Sequence, residues 1–285
     1  TVGLGLFCDI YGPGGTAQDA VAGILRGLYR RGNAVNIQTK SNQVTRHLEL
    51  LRQFSERDRV RVTFTLLTTD PGLSAELEGG APPPEQRMAA LRLLRDAGVP
   101  AGIAATPLIP LVNDSPRQLE SLVAAAAGAG ASWVLFSGFD PVPGFLRDPR
   151  WKKTSALMQE PEKLQRHYRQ VAGRMAGLVS RAGLPLRIPR MYRGRLERNF
   201  SYGAVSEHLF TISYYYELGG DQVEAVRYRR AAHRIEGLGE VFRNRATGAP
   251  EHREPVARTL RGCSSLKSIV YQKKLGYIKG VNPEI

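Results

Sequence analysis

Val35-Asn36-Ile37-Gln38-Thr39-Lys40-Ser41, Val60-Arg61-Val62-Thr63-Phe64-Thr65-Leu66 and Gly102-Ile103-Ala104-Ala105-Thr106-Pro107-Leu108-Ile109-Pro110 decide the fold. Each is a short apolar run rich in Val, Ile, Thr or Phe. The segments between them carry apolar residues at helical spacing. Strands alternating with helices read as βα units and a parallel sheet. Each run ends in a hydroxyl or ammonium group. Polar chemistry therefore collects at the carboxyl ends of the strands, where such folds bind ligands. The stretch Leu77-Glu78-Gly79-Gly80-Ala81-Pro82 lies between the second and third runs.

Working outward, residues 4–7 read as a short buried strand, followed by a Gly/Pro loop over 8–15. Thr16 can cap a helix over 17–31, with Ala20, Ile24 and Leu28 inward and Gly32 as the stop. Residues 43–55 form an amphipathic helix with Leu48, Leu50, Leu51 and Phe54 inward. Residues 85–97 and the Ala-rich 119–129 are two more helices, Pro116 suits a first helical turn, and 132–137 is a last strand. The sum is about five βα units, short of the eight of a closed barrel. The expected fold is α/β: a partial (β/α) barrel of about five parallel strands, plus a small all-α C-terminal domain. Residues 145–151 read as irregular and 160–182 as a long basic helix. The expected domains are 1–183 for the barrel, 184–199 for a linker and 200–285 for a helical module. In that module, 204–218 carries the row Tyr214, Tyr215 and Tyr216, and 222–236 carries Arg227, Arg229, Arg230 and Arg234.

The 285 residues suffice for one large α/β domain and an appendage. Hydrophobic content of 42% and charged content of 23% are ordinary for a globular chain. No apolar run is long enough to cross a bilayer. No signal peptide is read, and the start at Thr1, directly in an apolar run, resembles a chain entered mid-domain. The formal net charge of +14 favours polyanions, DNA or other nucleic acid, as partners; a solvated basic surface is the plain alternative. Two distant cysteines, Cys8 and Cys263, exclude a disulfide framework and a Cys-based metal site within the chain, so no metal ligands are assigned. A reducing cytoplasm fits. The five histidines show no metal spacing.

Residues 5–137 resemble the spore photoproduct lyase-like branch of the radical SAM superfamily. That branch carries T-K-S at one strand end, matched by Thr39-Lys40-Ser41. It carries E-P-G-A-P and a following Arg, matched by Glu78, Gly79, Gly80, Ala81, Pro82 and Arg87. It carries A-G-I-P-x-G-x-x-x-A-P-x-I-P-x-x-N-D, matched by Ala97-Gly98-Val99-Pro100, Gly102, Pro107, Ile109-Pro110 and Asn113-Asp114. The resemblance implies S-adenosylmethionine as cofactor, with Asp9, Tyr11, Lys40, Ser41, Thr65 and Thr106 as binding residues. Lys40 would pair with the ligand's carboxylate, Asp9 accept from its amino group and Thr65 meet the ribose. Glu78 and Arg87 read as a structural ion pair. The family's [4Fe–4S] cluster is expected too, but its C-x-x-x-C-x-x-C ligands are absent from this chain. Cys8 stands where the family has Thr, in Gly5-Leu6-Phe7-Cys8-Asp9-Ile10-Tyr11-Gly12-Pro13. It is a candidate hydrogen donor, with an inert, half-buried thiol as the alternative.

Residues 205–276 resemble the helical DNA-binding domain at the front of family X DNA polymerases. Val226-Arg227-Tyr228-Arg229-Arg230-Ala231-Ala232-His233-Arg234-Ile235-Glu236 matches one of its helices. Leu260-Arg261-Gly262-Cys263-Ser264-Ser265-Leu266 keeps the frame of its helix-hairpin-helix, with Ser264 replacing a glycine. The glycines of such hairpins present backbone N–H groups to phosphate. Arg227, Arg230, Arg261, Lys267, Lys273 and Lys274 are the candidate nucleic-acid contacts. Two readings follow: a radical SAM enzyme acting on DNA, possible in radical chemistry only with its cluster-bearing segment supplied, or a non-enzymatic nucleic-acid-binding protein using the barrel as scaffold.

Overall fold

Parallel strands must be joined by crossovers, and the sequence places a helix between each successive pair of apolar runs. The computed structural model describes residues 1–12, 18–141, 143–189, 191, 209–210, 212–213, 216 and 221–243. Five strands form one sheet: β1 (Val2–Leu4), β2 (Val35–Thr39), β3 (Val60–Thr65), β4 (Ala101–Leu108) and β5 (Val134–Gly138). Their order in the sheet is their order in the chain, and every pairing is parallel. With right-handed crossovers, an order without reversal puts the helices on one face, as in an arc of a (β/α) barrel. The helices of this arc are α1 (Gln18–Arg30), α2 (Leu48–Glu56) after a 3₁₀ turn at Asn42–His47, α3 (Pro71–Leu77), α4 (Pro84–Asp96) and α5 (Pro116–Gly128). Helix α6 (Pro143–Arg147), a 3₁₀ turn at Pro149–Trp151, α7 (Lys152–Met158) and α8 (Pro161–Arg181) follow β5.

Register divides the sheet into two unlike faces, because residues opposite each other in a parallel pair point the same way. Val35, Ile37, Val60, Val62, Phe64, Ile103, Val134 and Phe136 share one face in register and are buried. Burying each such side chain stabilises the fold by about 1.5–3 kcal/mol. The opposite face carries Asn36, Gln38, Arg61, Thr63 and Thr65. Trp133 covers this polar face at the amino ends of the strands: a Cβ on Gly102 would lie 2.4 Å from its ring. Arg61 is held there by Asp58 at 2.7 Å and donates to the carbonyl of Pro189 at 3.0 Å. Val134 donates to the carbonyl of Pro185 at 3.0 Å, and Leu186 is buried. Residues 184–189, expected at the start of a linker, thus seal the amino-end side of the sheet.

Helix ends follow their caps. Asp70 accepts from Leu73 N at the start of α3, and Ser115 with Gln118 closes a capping box on α5. Gly98, at φ +75°, ends α4 in the left-handed conformation that favours glycine.

Three expectations are corrected. The first strand is Val2–Leu4 rather than 4–7, and the apolar Leu6 and Phe7 are 57% and 104% exposed. On α1 the buried residues are Val21, Ala22 and Leu25, while Ala20 and Ile24 face outward. The same periodicity fits either phase, and the observed one turns Val21 and Leu25 inward and leaves the β-branched Ile24 outside. Residues 145–151 are not irregular but run through α6 and the 3₁₀ turn capped by Asp148.

The chain divides into two compact units, Thr1–Gly194 and Arg195–Ile285. In the second unit α9 (Gln222–Arg243) buries Ala225, Tyr228, Ala231 and Ala232. Tyr216 stacks on Tyr228 with centroids 5.3 Å apart, and Ser213 Oγ donates to the Ala225 carbonyl at 2.8 Å. Residues 200–208 and 244–285, with the expected helix-hairpin-helix, lie outside the described residues. Among the described residues no helix is long and apolar enough to cross a membrane.

Candidate functional site

The carboxyl ends of β2, β3 and β4 and the loop after β1 surround a cleft of about 240 Å³. Its lining is Gly5, Leu6, Phe7, Cys8 and Asp9 from the loop, Gln38, Thr39 and Lys40 from β2, Thr65 from β3 and Thr106 from β4. Gly5 sits at φ +82°, and a Cβ there would lie 1.9 Å from the Gln38 carbonyl oxygen. Only glycine permits that approach of the loop to the end of β2.

Asp9 fastens the loop. Its Oδ1 accepts from Tyr11 N at 3.0 Å and from Thr39 Oγ1 at 2.7 Å; its Oδ2 accepts from Lys40 N at 2.7 Å. Thr39 Oγ1 in turn accepts from Ser41 N at 2.9 Å. A carboxylate has about four lone-pair sites, so little of Asp9 remains for a ligand. Thr65 Oγ1 accepts from Gln38 Nε2 at 3.3 Å, which leaves its own proton to give.

Behind the cleft lies a buried charge network. Glu78 and Arg87 are 0% and 1% exposed at their side chains, with Arg87 Nη1 2.8 Å from Glu78 Oε2. Arg87 also donates to the carbonyls of Pro82 at 2.7 Å and Thr65 at 2.9 Å. Ser74 Oγ donates to Glu78 Oε2 at 3.2 Å. The other oxygen, Glu78 Oε1, faces Lys40 Nζ at 3.3 Å, and the Lys40 side chain is 42% exposed. The ammonium therefore stands between a buried carboxylate and the cleft. The contact is an ion pair without a hydrogen bond on Oε1, so the ammonium keeps donors for a second anion.

The residues of the Asn-Asp motif brace the loop after β4 rather than line the cleft. Asn113 Oδ1 accepts from Ile109 N at 2.6 Å, and its Nδ2 donates to the carbonyls of Leu67 and Pro107, each at 3.1 Å. Asp114 Oδ1 accepts from Leu111 N at 2.8 Å, and its Oδ2 meets His167 Nε2 of α8 at 2.5 Å.

Of the residues singled out from sequence, Cys8, Asp9, Lys40, Thr65 and Thr106 line one cleft. Ser41 and Tyr11 are outside its lining. Ser41 is buried and caps the 3₁₀ turn by accepting from Gln43 N. Tyr11 is buried with its hydroxyl 3.0 Å from His47 Nδ1. Burial, and secondly the charge of Asp9, push its phenol well above the usual range. Gln38 was not anticipated, and Thr39 was quoted only as part of the T-K-S match. The signal for Gln38 was the period-2 alternation of Val35-Asn36-Ile37-Gln38-Thr39, which marks Asn36 and Gln38 as one face of the strand. In the second unit Arg227 and Arg230 are exposed, and Arg227 is paired with Glu224 at 2.5 Å. Arg261, Lys267, Lys273 and Lys274 lie outside the described residues.

The donors present do not fit a [4Fe–4S] cluster. Cys8 is exposed on the cleft wall, Cys263 lies outside the described residues, and the sequence holds no third cysteine. No group of three His, Cys, Asp or Glu among the described residues could hold a metal.

Comparison with known proteins gives distant relatives. No protein-family model matches the chain. It is 31% identical over 138 residues to uncharacterized proteins of Mycobacterium tuberculosis and Mycobacterium bovis, covering 48% of this chain and 41% of theirs. It is 30% identical over 101 residues to an uncharacterized protein of Acidianus two-tailed virus, covering 34% of this chain and 33% of that one. The chain thus spans less than half the length of the curated relatives it matches. Among solved structures, Streptococcus suis SuiB bound to S-adenosylmethionine aligns with a TM-score of 0.36 and 15% identity, over 50% of this chain and 32% of that one. A likeness at that level says nothing about the site.

Proposed function

We propose that the chain is a radical SAM protein of the spore photoproduct lyase-like branch, that its cleft binds S-adenosylmethionine, and that its macromolecular partner is nucleic acid. What supports the reading is convergence: Asp9, Lys40, Thr65 and Thr106, picked from separate stretches by resemblance, line one cleft at the carboxyl ends of the strands. The lining also suits the ligand chemically. Lys40 offers an ammonium to a carboxylate, Thr65 and Thr106 offer hydroxyls to a ribose, and Leu6 and Phe7 offer apolar surface to a purine. S-adenosylmethionine supplies an activated adenosyl–sulfonium group. The chain's part is to hold its amino-acid end against Lys40 and its sugar against β3 and β4. At about 240 Å³ the cleft is smaller than the ~300 Å³ floor of usual small-molecule pockets, so the bound ligand would stay partly in solvent.

Calorimetric titration of S-adenosylmethionine into the whole chain tests the reading. Wild type should bind, and Lys40→Ala should weaken binding by about 10–100-fold, the worth of one charge-assisted hydrogen bond. No heat in either protein would remove the ligand from the proposal.

A second reading, the non-enzymatic nucleic-acid-binding protein, draws on one observation: the site is satisfied without a ligand. Lys40 already has Glu78, and Asp9 is occupied by Thr39 and two backbone amides. Salt-dependent duplex binding with no response to S-adenosylmethionine, unchanged by Lys40→Ala, would favour it.

A further inference from the structure

The segment after β5 reads Phe145-Leu146-Arg147-Asp148-Pro149-Arg150-Trp151-Lys152-Lys153, four cations against one carboxylate, with two aromatic rings among them. Neither sequence resemblance touches it. In the structure the rings are ordered into a ladder. Phe145 and Trp151 lie nearly parallel, 7° apart with centroids 5.3 Å apart. Phe139 closes one end edge-on at 4.6 Å from Phe145. The Arg150 guanidinium lies 5.5 Å from the Trp151 centroid on the ladder. Arg150 is oriented by Asp148 and by Glu76 at 2.9 Å, and its side chain is 61% exposed.

The ladder stands at the carboxyl end of the sheet. Phe139 follows β5 directly, and Thr154 of α7 anchors the segment by donating to the Pro110 carbonyl at 2.7 Å. Glu76, which holds Arg150, belongs to the same helix whose C-cap residue Glu78 meets Lys40 at the cleft. The platform and the cleft are therefore joined through α3. Arg147, Lys152 and Lys153 are exposed, and among the described residues none of the three is ion-paired.

We infer that this platform binds single-stranded nucleic acid, with a base stacked on the Arg150–Trp151–Phe145 ladder and the flanking phosphates met by Arg147, Lys152 and Lys153. Parallel planes match the face of a nucleobase, and guanidinium planes accept stacked bases as aromatic rings do. Base faces are covered in a duplex, so the platform selects unpaired nucleotides. A membrane surface fits less well: the rings stack on one another, and the ladder's most exposed member is the Arg150 guanidinium, a planar cation that suits a base better than acyl chains. The inference rests on the nucleic-acid half of the reading above, not on its S-adenosylmethionine half.

The test uses the whole chain without S-adenosylmethionine and a fluorescein-labelled oligothymidylate of about 12 nucleotides, within the usual range of site sizes. Fluorescence anisotropy gives Kd for this strand and for a duplex of equal length. The single strand should bind more tightly. Trp151→Ala should weaken it about tenfold or more, Trp151→Phe should restore most of the loss, and the double variant Lys152→Ser, Lys153→Ser should flatten the salt dependence. Trp133 is fully buried and Trp151 is the other of the two tryptophans, so quenching of indole emission by the strand reports Trp151 and should vanish in Trp151→Phe. An unchanged Kd in Trp151→Ala, absence of quenching in wild type, or binding to phosphatidylserine vesicles and not to the oligonucleotide would each overturn the inference. Tryptophan-dependent strand binding without any calorimetric response to S-adenosylmethionine would uphold it while removing the ligand; the converse result would overturn it and leave the cleft reading intact.

Discussion

Replacing Arg87 by Met tests whether the buried network behind the cleft holds the fold. The guanidinium is 1% exposed, and its removal leaves Glu78 Oε2 with Ser74 alone as a close partner. The carbonyls of Pro82 and Thr65 lose their donors as well. Breaking a buried ion pair by removing one partner costs about 3–5 kcal/mol. Lys40 offsets part of this, but it is 42% exposed and its attraction is screened by solvent. A net loss of about 4 kcal/mol is expected, and at about 2–4 °C per kcal/mol the transition should fall by about 8–16 °C. Tryptophan emission is the assay, because Trp133 and Trp151 both belong to the Thr1–Gly194 unit and report its unfolding alone. Adding Glu78→Gln to Arg87→Met should recover about 1–2 kcal/mol, since a neutral amide costs less to bury than an unpaired carboxylate. A single-variant shift below about 3 °C, about 1 kcal/mol, would refute the reasoning.

Other outcomes follow from the same coordinates. Gly5→Ala must displace the loop from the Gln38 carbonyl, so it should weaken S-adenosylmethionine binding in calorimetry more than it lowers the melting temperature. Gly102→Ala drives a methyl into the Trp133 ring; it should cost about 1–3 kcal/mol and shift indole emission to the red. Tyr11 is held neutral in the fold by burial, while in the unfolded chain it ionises near its ordinary value of 10.0. Above that pH the unfolded state has lost more protons, so stability should fall as pH rises, and Tyr11→Phe should flatten the alkaline limb of a urea-midpoint titration. At neutral pH the same variant loses the contact to His47, about 1 kcal/mol.

Much of the fold was legible because parallel strands buried on both faces leave dense runs of Val, Ile and Phe, as at Val60-Arg61-Val62-Thr63-Phe64. The errors have physical causes. Leu6 and Phe7 looked like strand residues because they are apolar, yet they line the cleft wall in the open. The α1 face was misplaced by one residue, since a thirteen-residue helix with Ala, Val, Ile and Leu scattered along it admits adjacent phases. Pro149 made the ladder segment look irregular, although Pro suits the first turn of the 3₁₀ helix that Asp148 caps. At the site, Lys40 and Thr65 were legible as strand-end polar groups. Gln38 was not, because an amide inside a strand looks like a solvated position until register sets it beside Thr63. The partnership of Lys40 with Glu78 joins residues 38 positions apart and needed coordinates to be seen.

The stopper formed by Pro185, Leu186 and Pro189 has a practical meaning for anyone trimming the gene. A product ended at the last turn of α8 would uncork the floor of the sheet, stranding the Val134 amide and freeing Arg61 from its carbonyl. Excised versions of the strand-bearing half should keep the chain through Pro189, or be expected to leave inclusion bodies in place of protein.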